Sequence, residues 1–168
     1  MTKKLSIVLS FVFFLCFSAS NIYAQTSLPD VTLMNIDGEK INIADYAQDG
    51  KITVFSFWAT WCSPCKKELN NIAELYEEWQ EEYDLEIVAV SIDDQRNTGK
   101  IKPYVNGQGW EYTVLLDPNE DLKRVFNFQT VPFTIVLNKK GEIAYQHTGY
   151  VEGDEYELEK HIQEMIEE

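Results

Sequence analysis

Basic residues are scarce in this chain: 14 lysines and arginines stand against 28 aspartates and glutamates in 168 residues, a formal net charge of −14. Such a surface repels phosphate backbones and anionic headgroups, so nucleic acid and an anionic membrane face are excluded as partners, and cationic proteins are the ones it would attract. Much of the acid has a plain use, because Glu74, Glu77, Glu78, Glu81 and Glu82 fall where the solvent face of one helix would lie. Internal repeats, low-complexity tracts and linkers are absent, which leaves a single domain. Histidine is limited to His147 and His161, and cysteine to Cys16, Cys62 and Cys65. With no second cysteine pair, a structural zinc site, which normally takes four ligands, has at most half its set here.

Long apolar runs are missing too, save one at the N-terminus. Lys3-Lys4, the apolar stretch Leu5 to Phe17, the polar segment Ser18 to Asn21 and Ile22-Tyr23-Ala24 form a Sec-type signal peptide over 1–24, leaving one domain over 25–168. The stretch is shorter than the roughly 20 residues of a spanning helix, which favours cleavage over a retained anchor. Lipidation at Cys16 is disfavoured by the bulky Phe14 and Leu15 before it. Cleavage removes two lysines and Cys16, so 12 basic residues face 28 acidic ones, a net charge near −16. The expected location is periplasmic or otherwise extracytoplasmic, an oxidising compartment where Cys62 and Cys65 would be the only thiols.

What remains reads as alternating strands and helices. Val31 and Leu33, then Ile41 and Ile43, alternate around Asn35-Ile36-Asp37-Gly38, a β-hairpin with an Asp-Gly turn. Lys51 to Trp58 is an apolar, β-branched run that suits a central strand covered on both faces. From Ser63 the period changes: Leu69, Ile72, Ala73, Tyr76, Trp79 and Tyr83 recur at helical spacing. Leu85 to Ile92 is the next buried strand and completes a βαβ unit. Asp93 to Trp110 is polar, with an insertion helix expected around Ile101 to Val105. Tyr112 to Leu116 is a short strand, and Asp117-Pro118-Asn119 caps a helix reaching Phe126. Phe133 to Leu137 and Ile143 to His147 form an antiparallel hairpin, and Glu155 to Ile166 a closing helix with Leu158, Ile162, Met165 and Ile166 inward.

Cys62 and Cys65 stand in Trp58-Ala59-Thr60-Trp61-Cys62-Ser63-Pro64-Cys65-Lys66-Lys67-Glu68, where the strand gives way to the helix. Unpaired N–H groups at a helix N-terminus favour thiolate over thiol, which points to thiol–disulfide chemistry. Pro64 is tolerated in the first turn, where no carbonyl awaits its missing N–H. The segment resembles the active site of thioredoxin-like proteins of the TlpA/ResA type. A second motif agrees: Val131-Pro132, followed by Phe133-Thr134-Ile135-Val136-Leu137, is similar to that family's cis-proline loop entering a strand.

The resemblance runs from about Ser27 to the C-terminus. It implies an α/β thioredoxin-like fold, a central mixed sheet flanked by helices, with the N-terminal β-hairpin and central insertion helix as additions. Cys62, the more exposed thiol, would attack a substrate disulfide, and Cys65, one turn in, would resolve the mixed disulfide. Pro64 would stiffen that turn. Ordinary thioredoxins place a buried acid six residues before the first cysteine, where this chain has Ser56, and in the TlpA/ResA type an acid three residues after the second cysteine, here Glu68, takes over. Cys65 and Glu68 are i, i+3 and can share a helix face; Glu68 as a surface carboxylate is the alternative. The resemblance further implies a cis Pro132 facing the dithiol, preceded by Val131, in a loop that pairs with an extended substrate peptide. Trp61 is expected to be an apolar docking patch, while Trp58 could be core, and Trp110 and Tyr112 are expected to be. Many relatives have a proline five residues after the second cysteine; Asn70 stands there, which would leave the helix straighter.

The expected activity is exchange of a Cys62–Cys65 dithiol/disulfide with protein thiols and disulfides, as a reductant supplied by a membrane thiol carrier, for example in cytochrome c maturation. A monomer with no further cofactor and no metal is expected. Two rivals stand beside it. A peroxiredoxin-type peroxidase needs a Thr/Pro-rich cysteine loop and a supporting Arg. A metallochaperone would use the cysteine pair with a downstream His, but His147 is expected on the last strand, away from the site.

Overall fold

Seven strands form one mixed sheet in the computed structural model, which describes residues 28–167. The leader expected over 1–24, Cys16 included, lies outside the described residues. In chain order the elements are β1 (Thr32–Asn35), β2 (Lys40–Asn42), a 3-10 turn (Ile43–Ala47), β3 (Ile52–Trp58), α1 (Ser63–Tyr83), β4 (Leu85–Ser91), a second 3-10 turn (Thr98–Lys100), α2 (Ile101–Gln108), β5 (Thr113–Leu116), α3 (Asp121–Phe126), β6 (Phe133–Leu137), β7 (Ile143–Thr148) and α4 (Asp154–Glu167). The sheet runs β2-β1-β5-β4-β3-β6-β7. β4 lies parallel to both β3 and β5, while β6, β7 and the β1–β2 hairpin add antiparallel.

The apolar run of β3 has the placement its composition suggests: every residue is buried, with β4 on one side and β6 on the other. α1 buries Leu69, Ile72, Tyr76, Trp79 and Tyr83, while the glutamates between them stay in water. α4 docks on α1 partly through polar contacts. Trp79 Nε1 and Tyr83 Oη both donate to Glu159 Oε1, at 2.9 and 3.0 Å, and Gln163 Nε2 donates to Tyr83 Oη at 2.8 Å. Trp110 and Tyr112 are core, as expected, and Trp110 meets Trp58 edge-on with ring centroids 5.1 Å apart. The insertion helix α2 completes that cluster with Tyr104.

Two inward positions differ from expectation. Ile43 is buried but not in a strand, because the Asn42 side chain accepts the Ala44 N–H and starts the 3-10 turn there. Ile166 is 44 % exposed. Tyr83 ends α1 and already contacts Gln163, so the last turn of α4 has no further α1 residue to cover it.

Asp117 caps α3 from outside the helix. Its buried carboxylate accepts the N–H groups of Asp121, Leu122 and Lys123, at 2.6, 2.9 and 3.4 Å, three of the four donors a helix start leaves unpaired. Asp117→Ala should therefore lower unfolding free energy by about 2 kcal/mol, the upper end for a lost cap, and Asp117→Asn by less, as read by urea denaturation.

Candidate active site

The dithiol sits on a turn that a buried aspartate holds in place. After Trp58 the chain turns through Ala59-Thr60-Trp61; Cys62 N–H donates to the Ala59 carbonyl at 3.0 Å, and Ile92 N–H donates to the Trp58 carbonyl at 2.9 Å. Asp93, 1 % exposed just past β4, accepts from Thr60 N–H at 2.7 Å, Thr60 Oγ1 at 2.6 Å and Ser91 Oγ at 2.9 Å. Asp93 was not among the residues singled out from sequence. Its one signal there is position: an acid directly after a buried strand that ends level with the cysteine-bearing turn.

Cys62 and Cys65 are joined as a disulfide, with Cα atoms 5.4 Å apart, inside the usual range for such bonds. Cys62 is 5 % exposed and Cys65 0 %. Cys62 occupies the N-cap of α1, and its Sγ accepts the Cys65 N–H at 3.3 Å, so the positive end of the helix is directed at the first sulfur. Pro64 lies exposed in the first turn, and Trp61 is 65 % exposed beside the pair. The Val131–Pro132 peptide is cis. Phe133 pairs with Phe57, which sets Pro132 level with the end of β3, and the Pro132 carbonyl accepts the Gly149 N–H at 2.8 Å. Pro132 is buried and Val131 half-buried. The expected residues thus collect at one edge of the sheet.

Glu68 is not a surface glutamate. It is 4 % exposed, one turn along α1 from Cys65, with Ser56 Oγ donating to its Oε2 at 3.2 Å and Thr134 Oγ1 donating to its Oε1 at 3.0 Å. Ser56 and Thr134 are direct partners across β3 and β6. Burial pushes the Glu68 carboxyl up to about 7; the two hydroxyls pull it down, and the negative charges of Asp154 and Glu155 push it up further. A carboxyl poised there can take a thiol proton and return it near neutral pH.

Other residues settle into distinct places. Trp58 is core. Asn70 accepts the Trp110 indole N–H at 2.8 Å, a tie between α1 and the aromatic cluster that sequence reasoning did not anticipate. His161 stacks on Tyr145 and faces Glu164. His147 is on β7 as expected, but it pairs with Thr134 and lines the cavity behind Glu68, so it lies close to the site and not away from it. Among the described residues no group of three or more His, Cys, Asp or Glu side chains is placed to hold a metal ion.

Comparison with known proteins agrees with this geometry. The AhpC/TSA family model matches residues 24–146. The chain belongs to the AhpC/TSA family. Within that thioredoxin-like family it is similar to the thiol-disulfide oxidoreductase ResA of Halalkalibacterium halodurans, 28 % identical over 152 residues covering 86 % of this chain and 81 % of that protein. It is 30 % identical over 127 residues to sporulation thiol-disulfide oxidoreductase A of Bacillus subtilis, covering 74 % of each. An uncharacterized thioredoxin-like protein from Porphyromonas gingivalis superposes with a TM-score of 0.75 at 44 % identity, covering 84 % of this chain and 92 % of that one. The fold is thioredoxin-like, and this member of the family is a thiol–disulfide oxidoreductase with Cys62–Cys65 as its disulfide.

A carboxyl held protonated by burial weakens the fold once it must ionise. Between the ordinary value of 4.5 and the folded value of about 7, the folded state binds more protons than the unfolded one, so stability falls as pH rises through that window and is level above it. The fall from Glu68 should be about 3 kcal/mol. Glu86, raised to about 7 by burial and by Asp49, adds a second fall in the same window. The difference between wild type and Glu68→Gln in urea denaturation from pH 4.5 to 8 therefore isolates the first: the variant should gain on the wild type as pH rises.

Proposed function

We propose that this protein is exported and reduces disulfides in other proteins, using Cys62 as the attacking sulfur, Cys65 as the resolving sulfur and Glu68 as the base for Cys65. The observation that carries the reading is the buried Glu68 carboxyl one helical turn beyond a disulfide in which Cys62 keeps 5 % exposure and Cys65 none. In the reduced protein the Cys62 thiolate, favoured by the helix N-terminus, attacks a client disulfide R–S–S–R′. A Cys62–S–S–R bond forms and R′–S⁻ leaves, taking a proton from water. Glu68 then accepts the Cys65 proton. The Cys65 thiolate attacks the Cys62 sulfur, the Cys62–Cys65 bond forms, and R–S⁻ leaves to be protonated in turn. Two electrons have passed to the client, and two thiol protons from the enzyme are matched by two on the products.

Exposed Trp61 and Pro64, with half-buried Val131 next to the cis Pro132, offer an apolar rim for a client peptide. Export rests on the leader pattern over 1–24, and it places the chain where a reductant must be recharged, for which a membrane thiol carrier is the proposed donor. The reading needs no cofactor beyond the disulfide and a single copy of the chain. A peroxidase reading lacks its Thr/Pro-rich cysteine loop, since Cys62 stands in Trp61-Cys62-Ser63-Pro64-Cys65, and Arg124 is engaged on α3 with Asp121 and the Asn119 carbonyl.

Cys62→Ser should abolish insulin reduction, and Cys65→Ser should accumulate mixed disulfides with clients, visible on non-reducing gels. Glu68→Gln should slow exchange at pH 7 by about 100-fold, the lower range for loss of a general base, with the fold retained. A reduction potential near the thioredoxin value of roughly −270 mV supports a reductant, and one near −120 mV would make the protein an oxidant.

A further inference from the structure

As the base for Cys65, Glu68 must exchange a proton with solvent in every cycle, yet it is only 4 % exposed. Its two hydroxyl partners show where an exit lies. Ser56 pairs with Thr134 across β3 and β6, and Thr134 pairs with His147 across β6 and β7. Residues directly opposite in antiparallel strands share a sheet face, so Ser56, Thr134 and His147 form a polar row running from the centre of the sheet to its edge strand. Beyond the row, His147 Nε2 is 3.5 Å from Asp154 Oδ2, and these two side chains are 39 % and 26 % exposed.

Between the row and the start of α4 is a cavity lined by Glu68, Thr134, His147, Asp154 and Glu155, with Tyr145 among the residues that close it. The cavity's volume is about 10 Å³, enough for one water molecule with polar partners on several sides. Resting on the reading of Glu68 as the Cys65 base, we propose that this cavity is the proton exit of the site, with one water carrying the proton between Glu68 and the His147–Asp154 pair. His147 and Asp154 act through Glu68 and never touch sulfur; they are positioning residues for its proton.

The groups facing Glu68 fit the assignment. Asp154 and Glu155 on α4 raise the Glu68 carboxyl. Glu155 is committed elsewhere, accepting from Tyr150 Oη at 2.7 Å, Gly153 N–H at 3.0 Å and Asn71 Nδ2 at 3.3 Å. Tyr112, on the other side of α1, donates to the Leu69 carbonyl at 2.8 Å, and Tyr145 stacks between His147 and His161. His147 and Asp154, whose Oδ2 also accepts the Val151 N–H at 2.8 Å, form the pair that lines the cavity and also meets water.

The test follows single-turnover decay of the Cys62–glutathione mixed disulfide, formed by mixing reduced protein with oxidised glutathione, from pH 6 to 9 in dilute buffer. His147→Ala and Asp154→Asn should slow the decay by about 3- to 10-fold, a small part of what a general base contributes. Added imidazole should restore His147→Ala and leave the wild type unchanged. His147→Gln, which keeps a hydrogen-bonding side chain but cannot carry a proton, should be as slow as His147→Ala; wild-type decay in His147→Gln would reduce His147 to a packing role and overturn the proposal. Wild-type rates in both His147→Ala and Asp154→Asn would overturn it as well. If Glu68→Gln slows decay while these variants do not, the exit is elsewhere and Glu68 keeps its role; if Glu68→Gln also decays at the wild-type rate, the base assignment itself has failed.

Discussion

A carboxyl group held out of water between two strand hydroxyls is the constraint on which the rest of the site depends. Glu68 reaches from α1 to Ser56 on the central strand and Thr134 on the next, and those contacts fix how the helix N-terminus, with both cysteines, sits over the sheet. Burial works against the fold by favouring the protonated acid, and the same burial moves the group to about 7, where it can both accept and release a proton. In ordinary thioredoxins an acid on the strand fills the position of Ser56. Here the strand supplies a hydroxyl at Ser56, and the helix brings the acid of Glu68 to within hydrogen-bonding distance of it.

The surrounding structure keeps that placement rigid. Asp93 ties the Thr60 turn to the end of β4, so the chain leaves β3 and enters α1 with little freedom. Asn70 and the Leu69 carbonyl anchor α1 to Trp110 and Tyr112. Glu159 and Gln163 bind its far end. Each tie is polar and mostly enclosed, where a hydrogen bond left unmade would be costly. At the site itself Trp61 is exposed, Cys62 keeps 5 % exposure and Cys65 is fully covered.

Local pattern was enough to find most elements, because β3 and α1 are strongly periodic and the cysteine turn lies at their junction. Ile43 and Ile166 went astray at element ends, where a side-chain cap or the length of a neighbouring helix decides burial. The cis Pro132 was reached by resemblance alone, since nothing in the local residues separates cis from trans. Helical spacing put Glu68 on the face of Cys65, but its burial depends on Thr134, 66 positions away in sequence. The roles of Asp93 and Asn70 and the closeness of His147 were invisible for the same reason: each depends on a partner distant in sequence, Thr60, Trp110 and, through β6 lying between β3 and β7, Thr134.

The most direct measurement is a ¹³C NMR titration of the Glu68 side-chain carboxyl in the oxidised protein, assigned by its disappearance in Glu68→Gln. The account requires its midpoint to lie near 7. A midpoint near the ordinary 4.5 would mean that the carboxyl is solvated and that no buried base serves Cys65.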